Sequence, residues 1–221
     1  WLNERGGIEA DLTVTRIAEH EFMVVTAGAT GRRDRGWLER NIPPGTDVTV
    51  EDISDQLAVL SVMGPNARTL LQTVTTADMS NAAFPFGRSR MIEVAGVSLR
   101  ASRITYVGEL GWELYVPAEF AAHVFDTLRD AGAEHGLTLA GYHALDSLRM
   151  EKAYRHWGHD ITPDDTPLEA GLGFAVAWDK PGGFVGRDAL LQQRAGGVTR
   201  RLVQLAVDDP DVVLLHNEPI L

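Results

Sequence analysis

Hydrophobic and polar positions alternate most clearly over residues 111–116, Gly-Trp-Glu-Leu-Tyr-Val. Trp112, Leu114 and Val116 point one way and Glu113 and Tyr115 the other, the period of two that marks a half-buried strand. A polar, basic strand is expected to run into it over residues 97–105. Gly108 and Gly111 lie between the two, and glycine tolerates the positive φ of a sharp turn. Residues 91–94 and 97–104 read as a strand pair across Ala95-Gly96. Apolar runs at 22–27 (FMVVTA) and 57–63 (LAVLSVM) predict buried strands. Further strands are expected within residues 8–14, at 48–52 and from 200 to 207. Helical spacing appears over 117–135, where Phe120, Val124, Leu128 and Ala131 share a stripe that Gly136 ends. A second helix is expected over 141–157, a charged surface helix over 30–40, and one after Gly64-Pro65 with Leu70, Leu71 and Val74 on its apolar side.

Composition narrows the function classes. The chain has 221 residues and a formal net charge of −11, which argues against nucleic acid as a partner and offers no long-range attraction to an anionic ligand. No cysteine is present, so disulfides, thiolate catalysis and cysteine-ligated zinc are excluded. No apolar run approaches the ~20 residues of a membrane span, and no signal peptide opens the chain. The expectation is a soluble intracellular protein, cytoplasmic or, in a eukaryote, of the mitochondrial matrix. Trp1 and the stretch 217–221 read as cut ends. Residues 195–197 are the only candidate linker.

Candidate chemistry centres on the hairpin. A carboxylate and a phenol share one strand face, with Tyr106 just before the turn. A buried carboxylate needs a partner. Glu113 can accept two parallel N–H donors from the edge of a pteridine-like ring, and the tyrosines can stack on that ring. The alternative is a glutamate that is solvated or paired with an arginine. Asp11 stands at the entry of a strand, where aspartate is depleted; a turn cap is the other explanation. Asp34 and Glu39 among four arginines read as a solvated helix face. His123 and His135 read as surface residues. His156 and His159 have the spacing to share a metal, but no third ligand stands at a recognisable distance. Gly171 and Gly173 lack the strand and third glycine of a dinucleotide fingerprint.

Four separated segments, in order, resemble the folate-binding aminomethyltransferase superfamily: N-x-x-G-G-I-x-x-D-L-x-V at 3–14, Y-x-G-E-x-G-x-E at 106–113, D-S-L-R-M-E with W-G-H-D at 146–160, and F-V-G-R-D-A-L at 184–190. That family includes the glycine-cleavage T-protein. Leu110 makes the second segment more similar to the folate domains of dimethylglycine and sarcosine dehydrogenases or oxidases. The resemblance implies an α+β fold of ferredoxin-like β-sheets with packed helices around a central folate channel. It places a folate domain over 1–200, its start missing, and a truncated C-terminal β-barrel from 201 to 221. The implied activity is formation of 5,10-methylenetetrahydrofolate from the methylene group released on oxidative demethylation of dimethylglycine or sarcosine. FAD is expected only on a fused or separate flavin domain, and the methylamine-derived iminium is the other small-molecule partner. Matched to the family, Asp11 is the catalytic residue, Glu113 clamps the pterin edge, Tyr106, Tyr154 and Phe174 wall the ring, and Leu114 and Tyr115 flank it. Metal ligands are not expected. The family's folate-contacting arginine is replaced by Leu145. Arg149 matches a second, structural arginine, expected to pair with Glu151 or with neighbours of Glu113. The T-protein itself, disfavoured by Ala10, Leu110 and Leu145, and a folate-binding module without transferase chemistry are the alternatives.

Overall fold

A computed structural model describes residues 1–209, 211–214 and 219. The chain divides into two compact units, one of Trp1 with residues 10–160, the other of residues 2–9 with 161–221.

The first unit is built on a four-stranded antiparallel sheet. Its strands are β3 (Leu57–Met63), β4 (Ser89–Val94), β5 (Val97–Ser102) and β6 (Gly111–Pro117), in the order β3-β6-β5-β4. The β4–β5 turn has Ala95 at φ 53 and Gly96 at φ 79, the left-handed pair that a tight two-residue hairpin turn demands. Trp112, Leu114 and Val116 of β6 face the core as the alternation requires. They join Leu71 of α2 (Ala67–Val74) and Val124 and Leu128 of α3 (Ala121–Gly132). Phe84 meets Trp112 edge-on with ring centroids 6.0 Å apart. Each such large side chain contributes about 1.5–3 kcal/mol by leaving water. Helices thus cover one sheet face, and the face carrying Glu113 and Tyr115 is the other. Gly136 takes φ 72 where α3 and its trailing 3-10 turn end.

The same unit holds a two-stranded ribbon, β1 (Thr13–Ala18) and β2 (Glu21–Val25), followed by α1 (Gly31–Arg40) and, later, α4 (Tyr142–Glu151). The run at 22–27 forms its strand but is not buried: Phe22 is 55% exposed, because a lone two-stranded ribbon has no layer on both faces. Residues 48–52 form no strand. Ile8 makes only an isolated bridge to Leu2, so the strand expected within 8–14 starts at Thr13. The helix expected to reach residue 157 ends at Glu151, since Ala153 adopts φ 57 and leaves the helical path.

In the second unit the glycine pair of the first motif has a packing reason. Asn3 Oδ1 accepts the amides of Arg5 and Gly7, each at 3.0 Å, and a Cβ on Gly7 would fall 1.8 Å from the Pro163 carbonyl oxygen. Glu169 accepts from Thr166 N–H at 2.9 Å and pairs with Arg200. Helix α5 (Arg187–Gly196) follows Gly186. The strand expected over 200–207 is absent, and the proposed barrel start at 201–221 lies partly outside the described residues. The architecture is α+β with antiparallel sheets. Among the described residues no helix is long and apolar enough to cross a membrane.

Candidate functional site

Strand β6 sets the central geometry. Glu113 and Tyr115 lie two positions apart on one face, and the Tyr115 hydroxyl donates to Glu113 Oε2 at 2.6 Å. Glu113 is half-buried, and among the described residues no lysine or arginine reaches ion-pair distance. The arginine-paired alternative is therefore excluded within that set. Tyr115 is almost wholly buried, and burial, then the bond to Glu113 and its charge, drive the phenol's pKa upward, with Ser102 acting in the opposite sense. The phenol remains a neutral donor across the physiological range. Register explains the company Glu113 keeps: Ser61 of β3 and Ser102 of β5 stand directly opposite it, and Arg100 stands opposite Tyr115.

The turn before β6 is held against the end of α4. Gly108 has φ 69, and a Cβ there would lie 2.5 Å from Lys152 Cγ. Lys152 Nζ meets Glu109 at 3.2 Å. Gly111 keeps negative φ but admits close packing, a Cβ there falling 2.7 Å from Met63 Cγ. Tyr106 packs edge-on to Tyr154 with centroids 6.4 Å apart and donates to the Arg155 carbonyl at 3.3 Å. Burial pushes the Tyr106 phenol up to about 12; Arg149 pulls it down, while the charges of Asp11, Asp160 and Asp146 push it further up.

Asp11 thus lies within electrostatic reach of Tyr106. Asp11 is an exposed residue, yet partial desolvation by the chain around it raises its carboxyl above the usual carboxylate range, against the pull of the ammonium at Trp1. The structure gathers Asp11, Tyr106 and Tyr154 into one group, and Glu113 with Tyr115 into a second.

Expectations for Leu114, Arg149 and Asp34 need correcting. Leu114 is fully buried in the core on the opposite sheet face, so its side chain cannot flank a ligand beside Glu113. Phe174, expected to wall the ring, belongs to the second unit and is 86% exposed. Arg149 pairs neither with Glu151 nor with neighbours of Glu113. Its side chain is 3% exposed and meets Asp146 at 2.6 Å, Asp160, and the Tyr154 carbonyl at 3.0 Å. Asp34, read as solvated, is likewise buried against Thr26 and Arg33.

The two histidines have partners of their own. His159 Nδ1 lies 2.8 Å from Asp160, and His156 stacks on it with centroids 5.7 Å apart. Among the described residues no group of three or more histidines and carboxylates is arranged to hold a metal. The sequence reading missed Ser102, Arg100 and the Asp146–Arg149–Asp160 cluster. The alternation of β5 carried a signal for the first two, but their position beside Glu113 depends on the β5–β6 register.

The chain belongs to the family described as the GCVT N-terminal domain, whose model matches residues 1–180. It is an aminomethyltransferase-type domain. A 4-methylaminobutanoate oxidase (formaldehyde-forming) from Paenarthrobacter nicotinovorans is 46% identical, over 100% of this chain and 27% of that protein. Human mitochondrial sarcosine dehydrogenase is 42% identical, over 94% of this chain and 24% of the enzyme. The crystal structure of glycine cleavage system aminomethyltransferase T from Bartonella henselae matches with a TM-score of 0.72 at 30% identity, covering 89% of this chain and 52% of that one. The chain spans about a quarter of the length of the two curated relatives.

Proposed function

We propose that this domain binds tetrahydrofolate and brings it to the one-carbon unit freed from an N-methyl amine such as dimethylglycine or sarcosine, giving 5,10-methylenetetrahydrofolate. The observation that carries the reading is Glu113. It is a half-buried carboxylate on the sheet face away from the helices, fixed through one oxygen by Tyr115 and lacking a cation among the described residues. A carboxylate so placed suits a ligand edge that offers N–H donors, and the Tyr106–Tyr154 pair adds aromatic surface of the kind a flat heterocycle packs on. The residues present therefore fit the group.

Bound tetrahydrofolate supplies the nucleophilic nitrogens that take the carbon. The chain's own tasks are binding and orientation. Glu113 accepts the pterin edge, Tyr115 holds Glu113 in one rotamer, and Tyr106 and Tyr154 limit the ring's freedom. Fixing two reactants in alignment supplies roughly 7–11 kcal/mol in favourable cases. Asp11, with its carboxyl pKa raised, stabilises positive charge on the incoming iminium or accepts a proton as the new bond forms. The proposed site uses residues of the first unit alone. A flavin that oxidises the amine belongs to a different domain or subunit; the names of the two curated relatives, an oxidase and a dehydrogenase, agree with that division.

The test is a tryptophan-fluorescence titration of the chain with tetrahydrofolate, for which its five tryptophans provide the signal. Saturable binding at one site is expected. A flat titration, supported by a flat calorimetric one, overturns the reading.

A further inference from the structure

One buried guanidinium closes the end of α4 on itself. Beyond Glu151 the chain turns through Ala153 at φ 57, a left-handed conformation that an L side chain keeps only where its surroundings hold it. Arg149 does the holding from two sides. Its carbonyl accepts the Tyr154 amide at 2.9 Å, and its Nη1 donates to the Tyr154 carbonyl at 3.0 Å. The main chain of Tyr154 is therefore gripped at both its polar groups by one residue. The guanidinium is itself fixed. Its Nε and Nη2 reach Asp146 Oδ1 at 2.7 and 2.6 Å, and its Nη1 also meets Asp160, a carboxylate anchored by the His156 amide at 3.0 Å. A planar fork spread over two carboxylates and a carbonyl sets direction as well as charge, which an ammonium cannot do.

What is held in this way is an aromatic surface. The Tyr154 ring packs edge-on to Tyr106, and the Tyr106 hydroxyl returns to the carbonyl of Arg155, the next residue of the same segment. The Tyr106 phenol in turn feels the charges of both Arg149 and Asp11. Arg149, Tyr154, Tyr106 and Asp11 thus form one contiguous group. Arg149, with a side chain 3% exposed, is too enclosed to touch a ligand itself.

We infer that Arg149 is a positioning residue. It acts through Tyr154 to set the aromatic wall on which the flat ring packs, and so sets where that ring lies relative to Asp11. The inference rests on the reading of Tyr106 and Tyr154 as that wall.

The experiment is a double-mutant cycle on the full chain. Tetrahydrofolate affinity is read by calorimetry, and the tyrosine ring resonances of the ligand-free chain by NMR. Arg149→Lys keeps the charge and loses the fork. It is expected to weaken binding by about fivefold or more and to shift the ring signals of Tyr154 and Tyr106. Tyr154→Leu should weaken binding by about tenfold. The double variant should bind within about twofold of Tyr154→Leu, because a residue that acts through Tyr154 has nothing left to position. Asp160→Asn, which loosens the guanidinium without removing it, should move the same ring signals by less. Gly96→Ala, at the β4–β5 turn, loosens the fold elsewhere and should leave affinity within about twofold. Losses that add in the double variant, or ring signals unmoved in Arg149→Lys, overturn the positioning role while leaving folate binding by the parent intact. So does a loss in Gly96→Ala as large as that in Arg149→Lys. A flat titration of the parent overturns the proposed function, and the inference with it.

Discussion

The hydroxyl of Tyr115 donates to Oε2 of Glu113 at 2.6 Å, between residues two apart on the same face of one strand. Removing the donor leaves a half-buried carboxylate short of a partner. Tyr115→Phe keeps the ring and should cost about 1 kcal/mol of stability, the usual net value of one such bond. Tetrahydrofolate should bind several-fold more weakly, because Glu113 regains rotamer freedom. Urea unfolding and calorimetric titration measure the two effects. A variant as stable and as tightly binding as the parent shows that the bond does not hold Glu113 in place.

Alkaline pH should weaken the fold through Tyr106. Its phenol is raised to about 12 in the folded chain, by burial first and then by the balance of Arg149 against three aspartates. Unfolded, a tyrosine ionises near 10. Between these values the folded chain retains a proton that the unfolded chain has released, so stability is intact below about pH 10 and declines as pH rises towards 12. Tyr115 is shifted in the same direction and extends the decline. Urea midpoints from pH 9 to 12 should fall less steeply in Tyr106→Phe than in the parent. Identical slopes contradict the assignment.

Two glycines with similar backbones should respond differently to alanine. Gly108 and Gly96 have φ 69 and φ 79, but a Cβ at Gly108 meets Lys152 at 2.5 Å whereas none approaches at Gly96. Gly96→Ala carries only the left-handed penalty of about 1 kcal/mol. Gly108→Ala adds a clash that displaces Lys152, and should cost about 1–2 kcal/mol more. Equal losses in urea melts contradict the close packing of the turn against α4.

Arg149 holds together a segment far longer than its own helix. It bridges Asp146 and Asp160 and binds the carbonyl of Tyr154. Arg149→Met leaves two carboxylates without their cation, and since Asp146 is 43% and Asp160 23% exposed the loss should fall below the roughly 3–5 kcal/mol of a fully buried pair. Asp146 and Asp160 should both titrate higher in that variant. Burial works to raise Asp160 even now, and bonds from His159, the His156 amide and Arg149 outweigh it. Carboxylate NMR shifts across pH 2–6 check this; unmoved titrations contradict it.

How much was legible in the sequence follows from the range of each interaction. The β6 alternation placed Trp112, Leu114 and Val116 in the core and Glu113 with Tyr115 opposite, because a period of two is a local signal. The same alternation put Leu114 in the core, and only the family resemblance made it a ligand neighbour. Asp34 looked solvated because four arginines surround it in sequence, yet Thr26, eight residues earlier, completes its burial. Arg149's partner Asp160 lies eleven residues on, beyond a helix end set by the left-handed Ala153, which no propensity marks. Phe22 and Val24 form their strand as expected, but burial depends on what packs above it. The β5–β6 register that places Arg100 and Ser102 beside the site is fixed by tertiary pairing across residues 103–110.

In the proposed function two carboxylates divide the labour, Glu113 for binding and Asp11 for transfer. The most direct measurement pairs tetrahydrofolate affinity with the rate of methylene transfer from formaldehyde or an enzymatically generated iminium, in Glu113→Gln and Asp11→Asn. Glu113→Gln should weaken binding by at least about tenfold. Asp11→Asn should leave affinity within about twofold and slow transfer by roughly 10²-fold or more. Full affinity in Glu113→Gln, or an undiminished rate in Asp11→Asn, would overturn these assignments.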